Sequence, residues 1–146
     1  MKQEINLQES NRAEAFRMWM SSPMPMVTLV KTLDVSRLVK ISKKSGIKFN
    51  VLMCWCIGKA ANECKSSFLD EHMVIGTSAM IQTELDCIVN QYTDQFSNPM
   101  VMWGKYRMGL FKTTLPVSFQ FHHVQMDGGH AAKFLLRLQN EINKLK

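Results

Sequence analysis

Apolar and polar positions follow strand-like and helical periods in turn along this chain, which predicts an α/β fold. Residues 26–32 are rich in β-branched and apolar side chains and predict a strand. Further strands are predicted over residues 72–81, 100–108 and 112–123, and the last two meet at Gly109, which indicates a hairpin. We therefore expect a mixed β-sheet with helices packed against it.

Two short helices are predicted in the first third of the chain. The first begins at Asn11, whose spacing to Glu14 suits a capping box, and prolines end it before residue 26. The second runs from Asp34 or Ser36 through Lys44, and a glycine two residues later closes it. Both Asp34 and Ser36 have the short polar side chain that a helix start prefers.

Two longer apolar segments predict the helices of the core. Asn50 can cap a helix over residues 51–64, which is apolar on nearly all sides, so we expect it to be buried throughout. A final helix from about Gly129 keeps its apolar residues on one face. That face comprises Ala131, Phe134, Leu135, Leu138, Ile142 and Leu145.

Composition and charge narrow the class of protein. A chain of 146 residues predicts one domain over 1–146, and 46% hydrophobic with 21% charged residues excludes wholesale disorder. The net charge of +6 favours an anionic partner such as a phosphate-bearing cofactor. No apolar run is long enough to span a membrane and no signal peptide is visible, so we expect a cytoplasmic protein without a membrane partner. Its four cysteines are then expected to be reduced and buried.

The motif that carries chemistry is His-His-Val-Gln-Met-Asp-Gly at residues 122–128. Strand alternation places His123 at the end of an apolar row, and burial would keep its ring neutral near pH 7, as a general base requires. A lone histidine on an apolar strand face is more often a core residue than a catalyst. The narrower pattern, with Asp127 four residues on and a glycine after it, favours catalysis.

This motif resembles the active-site signature of chloramphenicol acetyltransferases, and its His-x-x-x-Asp core is also similar to related dihydrolipoyl acyltransferases and condensation domains. Four other segments resemble the family in the same order: 11–16, 47–49, 77–79 and 103–106. The resemblance implies a two-layer sandwich, with a mixed β-sheet flanked by helices, as in CoA-dependent acyltransferases. It also implies a homotrimer with active sites between subunits.

The resemblance implies acetyl transfer from acetyl-CoA to a hydroxyl of chloramphenicol or a similar small molecule, hence antibiotic resistance. His123 would take the proton from the acceptor hydroxyl, whose oxygen then attacks the thioester carbonyl. Ser78 would donate a hydrogen bond to the oxyanion that forms. Asp127 would pair with Arg12 and hold the histidine loop, without acting as a base.

The resemblance also assigns the residues that would bind the two substrates. Lys48, Lys105 and Tyr106 match family positions near the nucleotide end of coenzyme A, whereas Met18 and Trp19 fall where the family lines its acceptor pocket. From the residues alone, Lys48, Lys105 and Tyr106 could equally face solvent. Without the resemblance, Met18 and Trp19 would be assigned to the core rather than to a pocket.

Metal and nucleic-acid chemistry are weaker interpretations. His122, His123 and His130 have no cysteine or carboxylate at a ligand spacing, so no metal is expected. No run of lysines and arginines is long enough for a nucleic-acid-binding arm, although a basic chain leaves nucleic-acid binding as a third possibility.

The chain departs from the family in its middle. Residues 64–72 take the place of a segment that is several tens of residues longer in the family, so we expect a missing segment there. The second hypothesis is therefore a truncated, inactive relative that serves as a binding or assembly module.

Overall fold

The computed structural model describes residues 13–64, 74–93 and 98–146. The elements are α1 (Ala13–Met20), β1 (Met26–Asp34), α2 (Ser36–Ser45), α3 (Phe49–Cys64), β2 (Gly76–Met80), β3 (Met100–Gly104), β4 (Arg107–Met108), β5 (Thr113–His122) and α4 (Gly128–Lys144). The strands form one mixed sheet in the order β1-β5-β3-β2, and the short β4 pairs with β5. β2 runs parallel to β3, whereas β1, β3 and β4 all run antiparallel to β5.

The central strand β5 is buried on both of its faces. Its apolar row meets the apolar face of α4, and the ring centroids of Phe119 and Phe134 lie 4.6 Å apart. Its polar row is covered by the irregular segment 88–90: Ser118 Oγ accepts a hydrogen bond from the Ile88 N–H at 2.8 Å. The predicted alternation is confirmed, and the sheet has a helical layer on the apolar side of β5.

The predicted hairpin forms between β4 and β5. The Gly109 N–H donates to the Lys112 carbonyl at 2.9 Å and closes its turn. The strand predicted over 100–108 is interrupted after Gly104, because the Lys105 N–H donates to the Thr83 carbonyl at 2.8 Å instead of continuing the ladder. Leu110 and Phe111 at the tip of the hairpin are 97% and 95% exposed.

The end of α2 is the one predicted from its sequence. Gly46 has φ 73° and donates its N–H to the Ser42 carbonyl at 3.0 Å, which is a left-handed helix ending that favours glycine. At the other end, Asp34 Oδ1 accepts from the N–H of Ser36 at 3.0 Å and from its hydroxyl at 2.6 Å. Val35 occupies the cap position itself, so Asp34 stabilises the first turn from one residue further out.

Two predictions about α3 are wrong. Asn50 lies inside the helix rather than at its cap, because its Oδ1 accepts a hydrogen bond from Trp103 Nε1 at 3.2 Å. The helix is also not buried on all sides, since Val51 and Trp55 are 58% and 59% exposed. The buried face of α3 packs mainly against α4 and α2. Its buried residues are Leu52, Met53, Cys56, Ile57, Ala60 and Cys64.

The cysteines divide into two pairs, which corrects the expectation of four buried thiols. All four are free, but Cys54 and Cys87 are exposed whereas Cys56 and Cys64 are buried. Burial raises the pKa of the Cys56 thiol to about 12. No helix in the described part of the chain is long and apolar enough to cross a membrane. The segment expected to be missing near 64–72 lies, apart from Cys64, outside the described residues.

Candidate active site

The backbone of the loop after β5 is tied to a single residue, His122. The N–H groups of Gln125 and Met126 both donate to the His122 carbonyl, at 3.0 and 3.2 Å. The Val124 N–H donates to Nδ1 of the His122 ring at 3.2 Å. These hydrogen bonds pair the N–H groups of residues 124–126 within the loop and so favour the observed turn.

His123 begins this loop and is the predicted general base. Its N–H donates to the Pro25 carbonyl at 3.0 Å, which fixes the loop against the start of β1. Its ring stacks on the indole of Trp19, with centroids 4.1 Å apart and planes 6° apart. The structure thus brings together two of the predicted site residues, one from the catalytic set and one from the acceptor set.

The deeply buried histidine is His122, which corrects the expectation that burial falls on His123. His122 is 6% exposed, whereas His123 is half-buried. Burial lowers the pKa of His122, and the nearby His123 lowers it further. The error arises because β5 is covered on both faces, and strand alternation alone does not show that.

Asp127 joins the histidine loop to α4. Its Oδ1 accepts a hydrogen bond from the His130 N–H at 2.8 Å, so Asp127 is the N-cap of the helix. Its Oδ2 also lies 3.2 Å from Nδ1 of the His130 ring. The predicted partner Arg12 lies outside the described residues. A carboxylate at a helix start stabilises the first turn, which is a structural contribution.

Ser78 lies far from His123 within one chain. It pairs with Met102 in β3, which in turn pairs with Ser118, four residues before the end of β5. Two strand spacings of about 4.8 Å and four residues of about 3.3 Å separate the Cα atoms of Ser78 and His122 by about 16 Å. His123 follows His122 directly, so the side chains of Ser78 and His123 are too short to meet at one reacting atom within the same chain.

The three predicted cofactor residues, in contrast, share one cleft. Lys48, Lys105 and Tyr106 line a cleft of 360 Å³ at the N-terminus of α3, and the Tyr106 ring contacts Phe49 with centroids 5.0 Å apart. Two lysines and a helix N-terminus suit phosphate groups, and the aromatic rings offer a flat apolar surface. Asn50 and Ile81 complete the lining.

This cleft and the histidine loop lie at opposite ends of the sheet. Trp103 pairs with Val117, so Lys105 is level with the residue seven positions before His122 on the antiparallel β5. At about 3.3 Å per residue, the separation is about 23 Å. Ser78 lies nearer than His123 to the end of the sheet that carries this cleft.

A second cleft, of 550 Å³, opens at the histidine end and contains residues that the sequence did not single out. It is lined in part by Met26, which pairs with His122, and by Gln120. The buried Gln120 accepts from the Asn90 N–H at 2.9 Å and donates to the Asn90 carbonyl at 3.0 Å. None of the described residues that line this cleft is ionisable.

Met18 does not line this second cleft and is 66% exposed. A larger cleft of 730 Å³ lies between α2 and the last residues of the chain, and it contains none of the predicted site residues. Among the residues that the structure describes, no group of three or more histidine, cysteine, aspartate or glutamate side chains could hold a metal ion.

Comparisons with known proteins agree with the resemblance. The family model for chloramphenicol acetyltransferase matches residues 63–139, a little over half of the chain. Chloramphenicol acetyltransferase 3 of Escherichia coli is 42% identical over 59 residues, which make up 40% of this chain and 27% of that protein. The chain therefore matches about a quarter of the length of this relative.

Solved structures support the fold. A chloramphenicol acetyltransferase superposes with a TM-score of 0.78 at 17% identity, over 97% of this chain and 98% of that one. The dihydrolipoamide acetyltransferase of Azotobacter vinelandii superposes with a TM-score of 0.56 at 15% identity, over 99% and 92% of the two chains. The predicted fold, a mixed sheet flanked by helices, is confirmed. The chain belongs to the chloramphenicol acetyltransferase family.

Proposed function

We propose that this protein transfers an acetyl group from acetyl-CoA to a hydroxyl of chloramphenicol or a similar small molecule, with His123 as general base. The observation that carries the proposal is the position of His123 in the family motif. Its ring is half-buried on Trp19, in a loop whose backbone is held by hydrogen bonds. Such immobilisation suits a base that must meet a hydroxyl at hydrogen-bond distance.

The proposed reaction uses two side chains of the protein. The imidazole of His123 takes the proton of the acceptor hydroxyl as the oxygen attacks the thioester carbonyl carbon. The Ser78 hydroxyl donates a hydrogen bond to the developing oxyanion. When the carbon–sulfur bond breaks, the imidazolium returns its proton to the sulfur, so that the products are the acetyl ester and CoA.

We also propose that Ser78 and His123 act in pairs from different copies of the chain, in a homotrimer. The separation of about 16 Å between the Cα atoms of Ser78 and His122, the residue before His123, supports this arrangement, because both Ser78 and His123 must contact the same reacting centre. A closed ring of identical head-to-tail contacts repeats such a site at every interface.

The two clefts support the choice of substrates. The cleft of Lys48, Lys105 and Tyr106 has the charge and the aromatic rings to hold the nucleotide end of acetyl-CoA, whose thioester supplies the acetyl group. The cleft at the histidine end has methionine and carboxamide side chains and no charge among its described lining residues. That lining favours an uncharged acceptor with hydrogen-bonding groups.

Three further features belong to the proposal. Residues 1–146 form one domain, a segment of the family fold is missing near residues 64–72, and the protein acts in the cytoplasm. The intact mass of the protein from its native source tests the missing segment. A mass larger than the 16.8 kDa of this sequence by several tens of residues would contradict it.

The decisive experiment measures loss of thioester absorbance with acetyl-CoA and chloramphenicol. Replacing the general base in His123→Ala is expected to lower kcat by about 10²–10⁴-fold, and Ser78→Ala by about 10²–10³-fold. Ser45→Ala, an exposed serine of α2, is the matched control and should keep full activity. Turnover by the native protein that survives His123→Ala would overturn the assignment of the base.

The second candidate is a truncated relative that binds or assembles without catalysis. Large exposed apolar side chains favour it, above all Trp55, Leu110 and Phe111. Isothermal titration with acetyl-CoA and light scattering after size exclusion distinguish the two functions. Assembly without thioester turnover supports the module, whereas turnover that depends on His123 excludes it.

A further inference from the structure

The histidine before the predicted base has contacts that no catalytic role explains. Three consecutive N–H groups, those of Val124, Gln125 and Met126, donate to His122. Two reach its carbonyl oxygen and one reaches Nδ1 of its ring. His122 therefore organises the turn that carries His123, and its side chain takes part as well as its backbone.

The contact to the ring fixes which nitrogen carries the proton. Nδ1 accepts a hydrogen bond from Val124, so it has no proton, and the neutral ring carries its proton on Nε2. The ring is buried: His122 is 6% exposed, and the centroid of its ring lies 6.1 Å from that of the Tyr92 ring. Binding a second proton at Nδ1 would replace an acceptor with a donor and set two donors against each other.

We propose that His122 is the positioning residue of the site: its unprotonated Nδ1 holds the Val124 N–H and thereby fixes the turn that presents the His123 ring against Trp19. The proposal rests on the proposed function, because positioning is defined by the role of His123. The lowered pKa of His122, caused by burial and then by His123, supports it, since a neutral ring keeps Nδ1 an acceptor at neutral pH.

Two carboxamide variants separate the role of Nδ1 from general packing. In His122→Asn, the carboxamide oxygen can occupy the place of Nδ1 and accept from Val124. In His122→Gln, the carboxamide extends to the place of Nε2 and cannot accept the hydrogen bond from the Val124 N–H. The two variants carry the same functional group and no charge, so each is the control for the other.

Nuclear magnetic resonance tests the proposal without any need for activity. In the native protein, we expect an unprotonated Nδ1 of His122 at neutral pH and His123 ring protons shifted upfield by the stacked indole, a shift that Trp19→Leu removes. The upfield shift should persist in His122→Asn and disappear in His122→Gln. A protonated Nδ1, or an unchanged His123 shift in His122→Gln, would overturn the proposal.

Kinetics provide the second measurement. His122→Gln should lower kcat about 100-fold, the loss typical of a reacting group displaced by about 1 Å, and leave the KM for acetyl-CoA unchanged. The cofactor cleft lies about 23 Å from the loop, so its binding should not change. His122→Asn, in contrast, should keep the native kcat. If the native protein has no turnover, the proposed function fails, while the resonance measurements still decide the role of His122.

Discussion

Gly104 is the position where the structure predicts the sharpest response to a single added methyl group. It ends β3 where the chain segment 83–85 crosses it. A Cβ built there would lie 2.9 Å from the Leu85 nitrogen and 2.9 Å from the Thr83 carbonyl oxygen. Both are backbone atoms, which cannot rotate away as a side chain would, so the backbone must move.

We expect Gly104→Ala to lower the free energy of unfolding by about 1–3 kcal/mol, the usual cost of overpacking a tight site. The displacement also strains the hydrogen bond from the Lys105 N–H to the Thr83 carbonyl, at 2.8 Å. This bond positions one side of the cleft proposed to bind acetyl-CoA. A higher KM for acetyl-CoA should therefore accompany the loss of stability.

Gly58→Ala is the matched control. Nothing lies within 4 Å of a Cβ at this position in the middle of α3. Alanine is a better helix former than glycine, so the variant should gain about 0.5–1 kcal/mol. Urea unfolding followed by circular dichroism measures both variants. Equal stability of Gly104→Ala and the native protein would refute the close approach of segment 83–85.

Three further predictions use other parts of the molecule. Asp127→Ala should cost about 0.5–2 kcal/mol in urea unfolding, since it removes the N-cap of α4; unchanged stability would contradict that role. Because the pKa of His122 is below its unfolded value of 6.5, its neutral ring contributes stability above pH 6.5 that is lost as the pH falls below it. His122→Asn should flatten this part of the stability profile, and an unaltered slope would argue against it. A thiol reagent should label Cys54 and Cys87 in the folded protein before the two buried cysteines; equal rates for all four would contradict the burial.

Helices and strands whose apolar residues recur at a regular spacing could be predicted from the sequence. The apolar face of α4 and the apolar row of β5 are both predicted from their spacing, and in the structure the two pack together at Phe119 and Phe134. Gly46 could be predicted to end α2, because a left-handed residue after a helix is a local requirement. In these segments, the local sequence preference and the burial of apolar side chains favour the same structure.

Other features depend on contacts distant in sequence. Asn50 has a side chain that suits a helix cap, but its Oδ1 accepts a hydrogen bond from the Trp103 indole instead. The burial of His122 depends on the second layer over β5, which the irregular segment near Asn90 supplies. The period of a strand assigns residues to its two faces and does not say which face is covered.

In the candidate site, too, some features follow from local sequence and others from contacts distant in sequence. The motif locates His123 and Asp127, since both belong to one strand, turn and helix start. The separation of Ser78 from His123 follows from the strand order β1-β5-β3-β2, with β2 parallel to β3. Strand order is set by the whole sheet, so the sequence alone could not show that one chain keeps these two groups apart.

Subunit complementation shows whether Ser78 and His123 from different copies of the chain form one active site. Ser78→Ala and His123→Ala proteins are each expected to be nearly inactive. A mixed assembly of the proposed trimer would contain interfaces with an intact serine from one copy and an intact histidine from the next. After exchange of equal amounts, about one quarter of the sites combine both intact residues, so about a quarter of the native rate should return. A mixture that exchanges subunits and stays as inactive as its two components would contradict a site shared between copies.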